Sequence, residues 1–181
     1  MAVSFVPPDL IKQIRSQFRL DWHGVHGAPH WARVHRHGVY LAPRMGADIR
    51  VVELFAFLHD SQRENDYTDP GHGERAADYA QWLRQRRMFE LEASAMELLQ
   101  RACRGHSNGG TVEDVTVQVC WDADRLDLGR VGKRPDPRYL CTHAAQDPAY
   151  LAKALQWSQG APIKLGSQPI REVPGLSDTS R

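Results

Sequence analysis

Apolar residues recur every four positions at Leu10, Ile14 and Phe18, behind Pro7, Pro8 and Asp9. That spacing predicts an amphipathic helix capped by Asp9 and ending near Asp21. After a glycine-flanked turn at 24–27, the run HWARVHRHGVYLAPRM brings His30, Val34 and Leu41 onto related faces. It reads as a second helix starting near Pro29, with Gly38 weakening its second half. Residues 48–60, DIRVVELFAFLHD, open on an acidic cap and continue almost wholly apolar. At about 13 residues the segment is too long for an ordinary strand and predicts a buried helix whose end carries His59 and Asp60.

The polar stretch SQRENDYTDPGHG that follows reads as a loop. ERAADYAQWLRQRR and FELEASAMELLQRACRGH, both rich in strong helix formers, predict two further helices. VTVQVCW has the β-branched content of a strand, but the chain offers no second strand of similar quality to pair with it, so residues 113–128 are assigned to a helix. DPAYLAKALQWSQ supplies a last short helix. Residues 161–181, with three prolines, two glycines and little periodicity, are expected to be extended or mobile. The fold class is therefore all-α: a single helical-bundle domain over residues 1–181, its motif core at about 20–160.

Composition narrows the picture further. The chain has 181 residues, 41% hydrophobic and 25% charged, enough for one core. Its 23 basic and 22 acidic residues nearly cancel, leaving no general positive field for nucleic acid. The most apolar run, VVELFAFL, is broken by Glu53 and is far shorter than the roughly 20 residues of a membrane helix. The N-terminus lacks the pattern of a secretion signal, which favours the cytoplasm. Cys103, Cys120 and Cys141 are odd in number and form no CxxC pair, so reduced thiols are expected rather than disulfides or a zinc knuckle.

Nine histidines, five of them within 23–37, raise the question of metal chemistry. Consecutive helical side chains diverge by about 100°, close to the angle between neighbouring ligands of an octahedral ion, so His59 and Asp60 could serve one metal. His30 lies on a separate helix, and WDADRLD brings Asp122, Asp124 and Asp127 from a third segment. Two imidazoles with two carboxylates suit a divalent transition metal better than calcium. Manganese, iron, cobalt or nickel come ahead of magnesium, with zinc also compatible.

The order His30, then His59 and Asp60, then Asp124 resembles the H…HD…D signature of the HD superfamily of metal-dependent phosphohydrolases. HWARV is similar to that family's first-histidine helix, FAFLHD to its apolar helix ending in the ligand pair, and ADRLD to the segment bringing the last aspartate. The resemblance implies a helical bundle, a metal held by His30, His59, Asp60 and Asp124, and hydrolysis of a phosphoester. Within WDADRLD it selects Asp124 over Asp122. Asp127, one turn on, is open to two readings: a cap or partner of Arg125, or a support for a ligand histidine. His72 and His106 resemble the additional histidines of two-metal members, and they are candidates for a second metal or a phosphate contact. Arg63, three residues after Asp60, and Arg75, one turn after His72, have the guanidinium fork that suits phosphate. Asp60 and Arg63 are the catalytic candidates.

The chain departs from the alarmone-hydrolase branch, since SQREND follows His59 and Asp60, and it lacks the GYP-bearing signature of cyclic dinucleotide phosphodiesterases. The HDSQREND and CWDADRLDLGR runs resemble a group of bacterial HD proteins without an assigned substrate. A nucleotide or other small phosphoester is the expected substrate class; a metal- and phospholigand-binding module without turnover is the alternative. Membrane partners are not expected, nucleic acid is disfavoured, and the oligomeric state is left open. His23, His26, His35 and His37 carry weaker signals, and Trp22, Trp31 and Trp82 read as packing residues.

Overall fold

The computed structural model describes residues 5–160, so the predicted tail at 161–181 lies outside the described residues. Among them the chain forms eight α-helices and no strand. The first helix, α1 (Pro8–Gln17), differs at both ends from its prediction. Pro7 is the cap and Pro8, whose fixed φ suits a first helical position, starts the helix, leaving Asp9 in the first turn beside Lys12. The helix stops at Gln17 because Phe18 turns to extended backbone. Its ring then meets Trp22 and Trp31 edge-on, at centroid distances of 6.0 and 5.0 Å.

Helix α2 (Ala28–Met45) runs unbroken through Gly38. That glycine lets two helices approach: a Cβ there would stand 2.4 Å from Val52 Cγ1 on α3 (Ile49–Leu58). The cost of glycine in a helix is thus offset by close packing. Asp48 caps α3 by accepting from Arg50 N at 2.9 Å. Every residue from 51 to 58 of this helix is buried, including Glu53.

The remaining helices are α4 (His72–Gln85), α5 (Ala93–Gly105), α6 (Val115–Arg125), α7 (His143–Gln146) and α8 (Pro148–Ser158). The VTVQVCW run is helical, as its lack of a strand partner predicted, and is capped by Asp114. Helix α3 packs against α2, α5 and α6, and α4 lies along α5. The α4–α5 contact is close: a Cβ on Gly73 would fall 2.4 Å from the Cys103 carbonyl oxygen. Because α3 is enclosed by other helices, its C-terminal residues His59 and Asp60 emerge inside the protein, where α2, α4, α5 and α6 each present a polar side chain.

Candidate metal centre

Three segments contribute to one largely buried cluster. His30 projects from the first turn of α2, His59 and Asp60 directly follow α3, and Asp124 comes from the last turn of α6. The two imidazole Nε2 atoms stand 3.0 Å apart, and Asp60 Oδ2 is 3.6 Å from each. Asp124 Oδ1 lies 3.4 Å from His30 Nε2 and 3.8 Å from His59 Nε2. His30, His59 and Asp60 each place a donor atom within 4.8 Å of the other two. Asp124 joins that set through the imidazoles.

The tautomers decide what the cluster can hold. His59 Nδ1 donates to the Phe55 carbonyl at 3.1 Å, and His30 Nδ1 donates to Asp127 Oδ2 at 2.7 Å. Both partners accept only, so each neutral ring keeps its proton on Nδ1 and presents a bare lone pair at Nε2. Two lone pairs at 3.0 Å repel unless a cation lies between them. Neighbouring donors on a first-row ion with bonds of about 2.1 Å are roughly 3.0–3.4 Å apart, so the donor set fits such an ion in type, and in spacing for the 3.0 and 3.4 Å pairs, with the 3.6 and 3.8 Å pairs somewhat wider.

A second set repeats the arrangement. His72 Nδ1 donates to the Asp69 carbonyl, and His106 Nδ1 donates to the Cys103 carbonyl at 2.7 Å. Their Nε2 atoms meet at 2.8 Å and face Asp60 Oδ1 at 3.3 and 3.6 Å. Asp60 therefore points one oxygen into each set. Either a proton or a second metal ion would satisfy this pair.

Charge and burial act in opposition throughout. Burial drives the His59 imidazole down to about 3, against the pull of Asp60 and Asp124. Burial also lowers His72, aided by neighbouring His106. For His106 the same burial is outweighed by the hydrogen bond and charge of Asp60, which raise it. Asp60 and Asp124 pay a desolvation cost too, yet the surrounding imidazoles, with Arg130 beside Asp124, hold both below the usual carboxylate range. Unpaired, such a concentration of buried donors would be costly.

The other candidates take distinct positions. Asp122 faces away, accepting from the backbone N–H groups of Cys141 and Thr142 at 2.7 and 2.8 Å and from the Thr142 hydroxyl at 2.7 Å. Asp127 holds His30 and is itself held by Arg33 Nε at 2.6 Å. Arg63 Nη1 lies 3.4 Å from Asp60 Oδ1 and 3.3 Å from His72 Nε2, but its Nη2 and Nε donate to the Tyr67 and Asn65 carbonyls. Arg75 is not brought to the cluster: its guanidinium grips both oxygens of Asp69 and donates to the Gln62 carbonyl. Arg33 and Arg130 were not singled out from sequence. Arg130 Nη1 stands 3.8 Å from Asp124 Oδ1, and its place in the DADRLDLGR run was the available signal.

Comparison with protein-family models, with curated proteins and with solved structures finds no match for this chain.

Proposed function

We propose that this chain is a metal-dependent phosphohydrolase of the HD type, acting on a nucleotide or another small phosphoester. One observation carries the reading: His30, His59, Asp60 and Asp124 converge from three helices with both imidazole tautomers fixed so that bare lone pairs face a common point. These four residues would hold a divalent transition metal, manganese, iron, cobalt or nickel ahead of magnesium. When bound, the metal supplies Lewis acidity to water and to the phosphoryl group. The protein's own part is placement. Asp127 locks the His30 tautomer, Arg33 locks Asp127, and Arg63 steadies Asp60 while keeping Nη1 beside the donors as a partner for a phosphoryl oxygen. His72 and His106 would take a second cation or contact the phosphate.

Free Cys103, Cys120 and Cys141 fit a reducing, cytoplasmic setting. Among the described residues no helix is long and apolar enough to cross a membrane. The engagement of Arg63 with two loop carbonyls favours one other reading, a module that binds a phosphorylated ligand without turnover. Phosphate release from a nucleotide panel in manganese, cobalt, nickel and magnesium separates the two. Turnover that is lost in Asp124→Ala supports the hydrolase. Absence of turnover with every metal, together with a ligand-dependent rise in Tm, supports the module.

A further inference from the structure

His26 has no role in the reading above, yet it is fastened to both sides of the cluster. Its Nδ1 lies 2.9 Å from Asp66 Oδ1. Asp66 sits in the loop after Asp60, between Asn65 and Tyr67, whose carbonyls are the two held by Arg63; the same guanidinium reaches Asp60. On the other side, the carbonyl of Val25, one residue before His26, accepts from Arg130 Nε at 2.9 Å. Arg130 in turn stands beside Asp124. One arginine thus ties the segment to Asp60 and another ties it to Asp124. The His26 side chain is only 10% exposed, and the charges of Asp60, Arg63 and Arg130 all act on it.

The bond to Asp66 fixes chemistry as well as position. A carboxylate accepts, so Nδ1 carries the ring proton and Nε2 carries the lone pair. A histidine oriented by a carboxylate, with an unprotonated second nitrogen and the charge of Asp60 acting on its ring, has the arrangement of a base with its orienting group.

We propose that His26 is the general base of this site and Asp66 its positioning residue, an assignment that rests on the hydrolase reading. As water oxygen forms its bond to phosphorus, His26 Nε2 takes one of the water protons. The bond from phosphorus to the leaving oxygen breaks, its electron pair passes to that oxygen, and solvent supplies the proton that completes the alcohol or phosphate product. His26 then returns its proton to solvent. Burial lowers the imidazole, with Asp60 and Asp66 opposing and Arg63 and Arg130 assisting, which keeps the basic form present at neutral pH.

The test uses the full chain loaded with manganese. His26→Gln should keep the metal content of the wild type while kcat falls about 100-fold or more, and imidazole should restore part of the rate of His26→Ala. Asp66→Asn should move the acid limb of the pH profile to lower pH, because the protonated ring loses its neighbouring carboxylate. In the zinc-loaded or metal-free protein, ¹⁵N NMR should show His26 as the Nδ1–H tautomer, with its Nε2 resonance moving when inorganic phosphate is added. A wild type that turns over while His26→Gln stays within about threefold of it overturns the base role alone. Loss of metal from His26→Gln also overturns it, since His26 would then act through the ligands. A wild type without turnover overturns the hydrolase reading first and the base role with it.

Discussion

Two helices each carry a matched pair of ionisable residues that differ in purpose. On α2, His30 and His37 are both fully buried seven positions apart. His30 is pinned through Nδ1 by a carboxylate and turns a lone pair toward His59. His37 instead meets the Tyr150 hydroxyl at 2.9 Å, a group able to donate or accept, and its Nε2 has no hydrogen-bond partner among the described residues. On α6, Asp122 spends its oxygens on three donors of the 141–142 turn, whereas Asp124, two residues on, faces the imidazoles. Burial alone does not mark a ligand. The distinguishing feature is a donor atom left bare by a partner that can only accept, and aimed at another such atom.

The largest effect should come from breaking the α6 pair. Asp124→Ala should lose metal retention altogether, as measured by metal analysis after gel filtration, while Asp122→Ala should keep it. Asp122→Ala should instead strand two backbone N–H groups and lower stability by about 3 kcal/mol or more in urea unfolding. Reversal of the two metal contents would mean that the α6 register relative to α2 is wrong.

Weakening the support of His30 should come next. Asp127→Asn leaves a neutral side chain between His30 and Arg33, and metal affinity should drop about 10- to 100-fold in a competition titration, with the four donors still present. Unchanged affinity would remove Asp127 from the site's design.

The smallest effect belongs to His37. Burial lowers its imidazole to about 4, from an ordinary value of 6.5. The unfolded chain then binds a proton that the folded one refuses, so the stability contribution is full above pH 6.5 and declines as pH falls toward 4. Between pH 7 and pH 5 this amounts to about 2 kcal/mol. His37→Phe should reduce the wild-type loss of stability over that interval by about this amount, read from urea midpoints at each pH. An identical pH slope in both proteins would show that His37 does not carry it.

Much of this arrangement was legible in the chain because it depends on local signals. The cap at Asp48, the apolar run ending in His59 and Asp60, and the two-residue offset of Asp122 and Asp124 are written in short windows. What was not legible depends on contacts across the bundle. Gly38 reads as a helix-weakening residue until Val52 is found against it. Arg75 has the spacing of a phosphate ligand, but Asp69, six residues earlier, folds back to claim it. Asp127 could equally have been a partner of Arg125; its link to His30 spans 97 positions, and Arg125 instead donates to the Tyr139 carbonyl. His26 carries only a weak signal in the sequence because Gly27, which caps α2, breaks its register with His30. It reaches the cluster's surroundings through Asp66 rather than through a shared helical face.

Cobalt(II) titration of chelator-stripped protein, followed by its visible d–d absorption, tests the central claim most directly. The wild type and His37→Phe should both bind cobalt stoichiometrically, and His30→Ala should not. Failure of the wild type to bind, or equal binding by His30→Ala, would contradict the assignment of this cluster as a metal centre.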